Sequence, residues 1–540
     1  MATTDKYDRQ LRLWGARGQE QLMSAKLLLL NAGPTGSEIL KNVVLPGVGS
    51  FEIVDDHVVS ESDLGNNFFV KTEDVNRPRA QVVTEWMLEM NPDVRGAYNI
   101  TSPAELIDHD VAYVDKFSLI IATQVVEPTL GKLAKHCQSK AIPLLVLHSY
   151  GLLGYLRLQI PEHTIVDSKP DSPWHDLRLS APFPELQAYA DSFDLDNLDS
   201  YERGHVPYVV ILIQAMQEWK AKHHGALPKT FAEKHDFKQL IRSQCHGSFG
   251  QEVNFVEAYD NAFKAYSLPK VVARSHGTHA LLLAQDGIPD EVLDVLHHAK
   301  SVNVTSTTSS FWFIARALAE FVDKHGALPL SGHVPDMTAF SHTYIALQKI
   351  YVNKAALDCD EIFATSAALL KVAGADSARI TRDDVAEYCK HASSIRLVQT
   401  RSLADEAQQA NLSEVDFDDE NSTQSPLLWY FLIRAVQAFI EEFGKYPGAD
   451  NNCPKEAQWL VDKARSMATH SLESFPAEWI TLDHGIETCR NSEVEIHNIA
   501  AILGGVGAQE AVKVITHQFM PLNNTYIFNG ITGCAATYAL

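Results

Sequence analysis

Short, uninterrupted runs of apolar residues alternate with helical periodicity over the first 165 positions. The runs at 27–30 (LLLL), 119–122 (LIIA) and 143–147 (PLLVL) contain no polar alternation. Strands covered by helices on both faces have this character, because neither side of the strand meets water. The pattern therefore predicts an α/β domain built on a parallel sheet.

Helical periodicity dominates the next part of the chain. Three apolar helices end at Gly225, Gly326 and Gly444, each followed by a proline three positions later. Glycine just past a helix takes the left-handed conformation, and the proline prevents the helix from continuing. An α/β signature returns with a helix from 494 to 515 and a strand from 525 to 528. We expect one Rossmann-like α/β domain that is discontinuous in sequence. Its first part is 1–165, a mainly helical insertion occupies 166–480, and its C-terminal part is 481–540.

Composition and charge exclude several classes of protein. The chain has 540 residues, a net charge of −23 and seven cysteines without a C-x-x-C pair. Such an acidic surface repels nucleic acid, and the cysteine pattern argues against a disulfide framework and a zinc ribbon. No uninterrupted apolar run reaches the ~18 residues that span a bilayer, and the first residues lack an apolar leader. We expect a cytoplasmic protein, with the nucleus as a further compartment, that binds no membrane, nucleic acid or metal.

A strand, a glycine turn and a helix follow one another between 27 and 42. The turn at 31–36 (NAGPTG) is that of a dinucleotide-binding unit, and a second strand leads to His57 about 20 residues later, where a ribose-binding carboxylate is expected. Asn31 replaces the first glycine, and Pro34 removes a backbone donor that a phosphate could use. On its own, the turn is equally compatible with a tight strand-to-helix connection that binds nothing. The frame is that of a Rossmann unit, with no nucleotide expected in it.

Strings on either side of this loop indicate a family. They are 7–15 (YDRQLRLWG), 63–69 (DLGNNFF), 76–80 (NRPRA), 504–510 (GGVGAQE) and 518–526 (QFMPLNNTY). In this order they resemble the activating enzymes of ubiquitin-like modifiers, and the resemblance spans nearly the whole chain. It implies an adenylation-type α/β fold of the ThiF and MoeB kind.

The resemblance also implies that the ATP site is degraded. In catalytic members the glycine loop cradles ATP, a carboxylate holds the ribose, an arginine and a lysine contact phosphates, and an aspartate positions magnesium. The affected positions here are Asn31, Gly33, Gly36, His57, Asn66, Arg79 and Gln124. A neutral imidazole cannot accept from two hydroxyls as a carboxylate does, and an amide oxygen is a poorer magnesium ligand than a carboxylate. We expect this chain to bind no cofactor, with ATP and Mg bound by a partner subunit.

The cysteine that accepts the modifier as a thioester is also missing from its expected sequence context. In the family it lies in the insertion, typically as Cys-Thr, and no cysteine here precedes a threonine. Cys245 and His246 are adjacent, but neighbouring residues do not face one another on a helix. We therefore expect all seven thiols to be structural or incidental.

One chemical group is retained. In paired activating enzymes, the arginine of the N-terminal Tyr-Asp-Arg-Gln string reaches the partner's ATP γ-phosphate in trans, and its counterpart here is Arg9. Arg12 lies three residues on, hence on the same helical face. The alternative for Arg9 is an ordinary surface arginine on an amphipathic helix. The resemblance favours the catalytic role in trans.

Within the family, a chain of this length with an insertion lacking its cysteine is similar to the regulatory half of the heterodimeric neddylation-activating enzyme. The strings at 176–186 (DLRLSAPFPEL), 334–337 (VPDM) and 344–348 (YIALQ) support this similarity. The resemblance implies that the catalytic subunit contacts two stretches of the insertion. Their residues are His205, Pro207, Val334, Pro335, Asp336, Met337, Phe340, Tyr344, Leu347 and Gln348. Internal packing of the insertion is the alternative explanation for these residues.

The function implied by the resemblance is that of a regulatory, catalytically inactive subunit. The complete enzyme adenylates a ubiquitin-like modifier with ATP and forms a thioester on the partner subunit, for transfer to cullins. Expected partners are the catalytic subunit, the modifier and, through the complex, the conjugating enzyme. Two other functions stay open on the sequence: a self-sufficient activating enzyme, and an oxidoreductase that binds NAD in the Rossmann unit.

Overall fold

The computed structural model describes residues 6–170, 176–246, 249–266, 288–413, 415, 425–450, 453–491 and 494–540. The chain divides into two compact units. The first is formed by Met1–Ile165 together with Leu397–Leu540, and the second by Val166–Arg396.

The strands carry the sheet of the first unit and one short ribbon. They are β1 (Lys26–Leu30), β2 (Ser50–Val54), β3 (Arg95–Asn99), β4 (Leu119–Thr123), β5 (Leu144–Tyr150), β6 (Leu153–Gln159), β7 (His163–Ile165), β8 (Arg396–Val398), β9 (Thr525–Asn529) and β10 (Cys534–Tyr538). β7 and β8 form the ribbon, and the others form one eight-stranded sheet.

The helices occur in both units. They are α1 (Asp8–Ser24), α2 (Pro34–Val44), α3 (Arg79–Met90), α4 (Pro103–His109), α5 (Glu127–Lys140), α6 (Pro184–Asp191), α7 (Ser200–Arg203), α8 (Tyr208–Lys222), α9 (Phe231–Ser243), α10 (Val253–Asp260), α11 (Asp290–Ser301), α12 (Ser310–His325), α13 (Ser341–Val372), α14 (Arg382–Lys390), α15 (Leu403–Gln408), α16 (Pro426–Phe443), α17 (Cys453–Ser471), α18 (Leu482–Asn491) and α19 (His497–Thr516).

The order of the strands defines where a ligand site would lie. The sheet runs β10-β9-β6-β5-β4-β1-β2-β3, and β1 pairs in parallel with both β2 and β4. The chain thus builds outward from β1 in both directions, to β3 on one side and to β5 on the other. Ligands of such sheets bind beyond the carboxyl ends of the strands at this reversal, between β1 and β4. The predicted α/β, Rossmann-like fold is confirmed.

The continuous apolar runs are explained by helices on both faces of the sheet. Leu27 and Leu29 of β1 lie in one core cluster with residues of α2 and α19. Leu28 and Leu30 lie in another cluster with residues of α4 and α5. Because both faces of the sheet are covered, the residues of β1 that point to either face are buried.

The helices between β8 and α19 do not belong to the same unit as the rest of the predicted insertion. Phe431 and Leu432 of α16 share a core cluster with Tyr155 of β6 and Ile527 of β9. The second unit accordingly ends at Arg396, whereas the sequence placed the end of the insertion at 480. An apolar helix shows by its composition that it is buried, but not which neighbour buries it.

Helix α19 is long and apolar enough to cross a bilayer by length and composition, which the search for uninterrupted apolar runs did not detect. Its Leu503 and Ala508 lie in the core of the first unit. A Cβ added to Gly504 would lie 2.7 Å from the Cβ of Glu38 on α2, so the two helices approach closely. The apolar character of α19 therefore reflects burial within the first unit.

The second unit is built around α8. Residues from Tyr208 to Ile213 along this helix are buried, together with Phe237 of α9 and Phe255 of α10. The predicted ends of two apolar helices are confirmed, since Gly326 after α12 and Gly444 after α16 of the first unit both adopt positive φ, +69° and +67°. In that conformation glycine avoids the steric cost of a side chain.

Candidate functional site

The glycine turn lies at the carboxyl end of β1 and begins α2. Gly36 is required there, because a Cβ would lie 2.2 Å from the carbonyl oxygen of Asn31. Asn31 takes the left-handed conformation, with φ +67°, and its side-chain amide donates to the carbonyl of Thr123 in β4 at 2.8 Å. Asparagine is among the non-glycine residues that tolerate this conformation best. Asn31 thus keeps the turn and ties it to the neighbouring strand.

Asp55, at the end of β2, is fully buried and saturated with donors from the chain itself. One carboxylate oxygen accepts from the Ala32 amide at 2.9 Å and from Arg79 Nε at 2.7 Å. The other accepts from the His57 amide at 3.0 Å and contacts His57 Nδ1 at 2.8 Å. Burial alone would raise the pKa of Asp55, but the hydrogen bonds from His57 and the charge of Arg79 lower it to about 2.

Arg79 and His57, the counterparts of the phosphate-binding lysine and the ribose carboxylate, are therefore bound to the same aspartate. Arg79 is largely buried and also contacts Asp63 at 3.4 Å. His57 exposes 60% of its side chain, and its pKa is raised, chiefly by the hydrogen bond to Asp55. The Arg79 guanidinium forms ion pairs with two carboxylates of this chain, those of Asp55 and Asp63. Neither residue is poised for a nucleotide.

Glu495, which sequence reasoning missed, lies against the glycine loop at the start of α2. Its Oε2 accepts from the Thr35 amide at 3.2 Å and from the Thr35 hydroxyl. A Cβ on Gly33 would lie 2.6 Å from its Oε1, so the loop admits the carboxylate only because glycine stands there. Burial raises the pKa of Glu495. The amino end of a helix favours an anion, and here the anion is part of the chain.

The remaining altered positions are also engaged internally. Asn66 donates to the carbonyl of Glu495 at 3.1 Å. Gln124 donates to the carbonyl of Ser149 at 2.7 Å, and its oxygen contacts His148 Nδ1 at 3.0 Å. These contacts hold Asn66 and Gln124 to neighbouring parts of the fold.

Asp55, Asp56 and His57 place potential metal-ligand atoms within 4.8 Å of one another. However, Asp55 already pairs with Arg79 at 2.7 Å. A metal ion would have to displace that guanidinium or lie beside its like charge, which opposes binding. The geometry therefore supplies no argument for a metal.

Arg9 lies in the first turn of α1 and is exposed. The turn is anchored just before it, because Tyr7 is buried and its hydroxyl accepts from Asn91 at 3.2 Å. Arg12, predicted on the same face, pairs with Asp8 at 2.9 Å. Among the described residues Arg9 forms no such pair. The Arg9 guanidinium is thus exposed on a helix turn that Tyr7 holds in position.

The predicted partner contacts all lie in the second unit and differ in exposure. Pro207, Val334 and Leu347 are buried, Asp336 and Gln348 are exposed, and His205, Pro335, Met337, Phe340 and Tyr344 are half-buried. The rings of His205 and Phe340 stack at 4.4 Å, and the Phe340 amide donates to the His205 carbonyl at 3.3 Å. The two predicted stretches therefore meet at one surface, with internal packing explaining the three buried members.

The cysteines show no sign of a nucleophile at the buried positions. Cys137, Cys359, Cys389 and Cys489 are buried, and burial raises the pKa of each of these four thiols. Reactive thiols need the opposite shift, because the thiolate is the attacking species.

Comparison with known proteins identifies the family of the chain. The ThiF family matches residues 7–535. The chain is 38% identical to the NEDD8-activating enzyme E1 regulatory subunit of Danio rerio, over 99% of this chain and 98% of that protein. It is 38% identical to the protein of that name in Xenopus laevis, with the same coverage. It is also 37% identical to the regulatory subunit AXL of Arabidopsis thaliana, over 97% of each chain.

Proposed function

This chain belongs to the ThiF family and, within it, to the NEDD8-activating enzyme E1 regulatory subunits, and we propose that it is the non-catalytic half of that activating enzyme. A catalytic partner subunit binds ATP and Mg, adenylates the ubiquitin-like modifier and then carries it as a thioester, for neddylation of cullins. The complex works in the cytoplasm and in the nucleus. Family membership favours neither a self-sufficient enzyme nor an NAD-dependent oxidoreductase.

The observation that carries this proposal is the self-occupied nucleotide site. Asp55 binds both Arg79 and His57, and Glu495 takes the backbone donor of Thr35. A nucleotide would have to displace the half-buried carboxyl group of Glu495 from the loop and separate Arg79 from Asp55. Adenylation therefore belongs to the partner.

The contribution of this subunit to chemistry is Arg9. An arginine carries a permanent charge and a planar fork of donors that matches phosphate oxygens. Exposure on an anchored helix turn leaves that fork available to a second protein. We assign to Arg9 the donation of hydrogen bonds to the γ-phosphate of the ATP held by the partner.

We expect the chain alone neither to bind ATP nor to exchange pyrophosphate in the presence of modifier. Equilibrium binding of labelled ATP and ATP–pyrophosphate exchange measure the two properties. The assembled complex, which must show both, is the positive control. Exchange by the isolated chain above its background would establish a self-sufficient enzyme and end the proposal.

The thioester is expected to form without any cysteine of this chain. Replacing all seven cysteines, the four buried ones by alanine or valine and Cys245, Cys453 and Cys534 by serine, should leave the yield of thioester in the assembled complex unchanged. Gel analysis with and without reductant measures the yield. Failure of assembly is detected separately by gel filtration. If an assembled variant formed no thioester, one of these cysteines would be the nucleophile.

The surface around His205 and Phe340 is proposed to contact the catalytic partner. Met337 is half-buried and of a type enriched in interface cores, so Met337→Asp should weaken association at least tenfold, by burying an unpaired charge. Tyr344→Asp should act in the same direction, although its hydroxyl also donates to the Val334 carbonyl at 3.1 Å. Titration calorimetry with the partner measures the change.

Two controls separate an interface from internal packing. Phe231, at the start of α9, is 87% exposed, so Phe231→Asp should leave association unchanged. Leu347 is fully buried, so Leu347→Asp should lower the unfolding temperature of the chain itself. If Met337→Asp behaved like the Leu347 variant, the surface would be a packing feature of the second unit and not a partner contact.

A further inference from the structure

A cavity of about 770 Å³ lies within the second unit. It is lined by residues within 167–170 and 176–183, by the end of α12, by α13 and by the end of α14. Its volume falls in the range of about 300–1,000 Å³ that is usual for small-molecule pockets. It is lined neither by the residues around the glycine loop nor by the predicted partner contacts.

The cavity is rich in cations, although the chain as a whole is acidic. Its basic residues are Lys169, Arg178, Lys264, Lys354 and Lys390, and its acidic ones are Asp167, Asp176 and Asp358. The complete chain has the opposite balance, with 45 lysines and arginines against 68 aspartates and glutamates. A local excess of positive charge in such a protein points to an anionic ligand.

Pairing within the wall neutralises only part of this charge. Arg178 pairs with Asp176 at 2.8 Å, and Lys354 pairs with Asp358. In the part of the chain that the structure describes, Lys264 and Lys390 form no ion pair with a carboxylate. Among the described lining residues, the charges of Lys264 and Lys390 are thus not paired with a carboxylate.

Two of the cations are fixed by a similar turn. The side chain of Asp167 accepts from the Lys169 amide at 3.0 Å, and that of Asp176 accepts from the Arg178 amide at 2.8 Å. Lys169 and Arg178 both adopt positive φ, +45° and +53°. This conformation is unfavourable for a residue with a Cβ. The fold accepts this cost at two positions that both line the cavity.

The environment of the lysines favours a negative partner. Burial lowers the pKa of Lys169; the charges of Asp167 and Glu387 offset part of this effect, and repulsion from Lys390 adds to it. Burial also lowers the pKa of Lys264. A bound anion would offset the repulsion and the loss of hydration together.

Part of the described wall is apolar, beside serines and histidines. Phe183, Phe321, Leu179, Leu328 and Ile288 line the same cavity. An inorganic anion would leave these side chains without a partner, whereas an organic anion would cover them. The wall therefore selects a ligand with both an acidic group and an apolar body.

We propose that this cavity is a binding site for a small organic anion with an aromatic or branched apolar body, whose acidic group contacts Lys169 and Lys390. The site is separate from the function proposed above, since it uses neither Arg9 nor the glycine loop. The failure of either proposal would leave the other standing.

The probe is 1-anilinonaphthalene-8-sulfonate, an aromatic sulfonate, and the neutral N-phenyl-1-naphthylamine serves as its uncharged counterpart. Fluorescence titration of the full-length chain should give saturable binding of the sulfonate at one site. Lys169→Gln with Lys390→Gln should raise the Kd of the sulfonate by roughly tenfold or more, since charged hydrogen bonds are lost. The Kd of the neutral probe should stay within about twofold, because it depends on the apolar wall.

A matched control removes the same charge elsewhere in the unit. Lys349 and Lys371 are exposed on α13, and Lys349→Gln with Lys371→Gln should leave both Kd values unchanged. Lys169→Arg with Lys390→Arg keeps the charge and should retain sulfonate binding within a few-fold. Thermal unfolding of each variant shows whether the unit is folded.

One measurement needs no variant. Raising the salt concentration from about 0.05 to about 0.5 M should weaken sulfonate binding and leave the neutral probe unaffected, because salt screens charge. The proposal is overturned if the wild-type chain shows no saturable sulfonate binding. It is equally overturned if salt affects both probes alike, or if a folded Lys169 and Lys390 glutamine variant binds the sulfonate as well as the wild-type chain does.

Discussion

Asp55→Asn is expected to destabilise the first unit by about 3–5 kcal/mol, the usual cost of removing one partner of a buried ion pair. The carboxylate is fully buried, and the side chain of Arg79 is only 12% exposed. Asparagine keeps the size of the side chain but leaves the guanidinium without its nearest charge. Hydrogen exchange of β1 and β2 measures the loss locally, and peptides of the second unit supply an internal reference.

Two variants test the reason for this loss. Asp56, next in the chain, exposes 46% of its side chain and contacts His57 at 3.3 Å. Asp56→Asn should cost less than about 1 kcal/mol, as exposed pairs do. Asp55→Asn with Arg79→Met removes the unpaired charge and should recover part of the stability. An equal loss for the Asp55 single variant and the double variant would show that the charge of Arg79 is irrelevant.

The effect of pH on this variant has a defined sign. The pKa of His57 is raised in the folded state, chiefly by Asp55, so that contact stabilises the fold below the ordinary histidine pKa and is lost as pH rises through the folded value. The lowered pKa of Asp55, about 2, acts in the opposite way, with stability lost only as pH falls below about 4. The destabilisation by Asp55→Asn should therefore be larger at pH 5.5 than at pH 8.5.

The sheet could be predicted from the sequence because its central strands are continuous apolar runs. In β1, Leu27 and Leu28 face opposite sides and are equally buried, so the apolar run is continuous. The turn was equally readable, since Gly36 admits no side chain beside Asn31. Both features are local, and local sequence determines them.

The occupation of the nucleotide site could not be predicted, because it depends on contacts between distant residues. Thr35 and Glu495 are separated by 460 positions, and nothing near Glu495 in the sequence marks it as a ligand of the loop. The sequence showed that nucleotide-binding residues had been replaced. The structure adds that the chain satisfies the remaining donors itself.

The assignment of helices to units failed for a related reason. Phe431 and Leu432 are apolar because they are buried, and burial on the sheet or within the helical unit leaves the same composition. Likewise, the family resemblance predicts Leu347 as a partner contact, and Leu347 is fully buried inside its own unit. Exposure, which the sequence does not contain, separates these cases.

Arg9→Ala is expected to lower the rate of modifier adenylation by the assembled complex about a hundredfold, without preventing assembly. Removing one preorganised donor typically costs about 3 kcal/mol in the transition state, and each 1.36 kcal/mol is about tenfold in rate. Assembly should persist, because the substitution leaves the apolar side chains of α1 free to pack. These are the exposed Leu13 and the half-buried Leu11 and Trp14. Arg9→Lys should recover activity only in part, since an ammonium cannot reproduce the planar fork.

Arg12 provides the matched control for this prediction. It has the same chemistry on the same helix, but it is paired with Asp8 at 2.9 Å, so Arg12→Ala should change the rate only a few-fold. Pyrophosphate exchange at limiting and at saturating ATP separates a loss of binding from a loss of rate. Binding of the modifier should be unchanged in both variants, because in the function we propose its C-terminal tail binds the partner. An assembled Arg9→Ala complex that exchanged pyrophosphate as fast as the wild-type complex at limiting ATP would contradict this prediction. The role of this subunit would then be purely structural, because the other positions that contact nucleotide in catalytic members are altered or bound within its own fold.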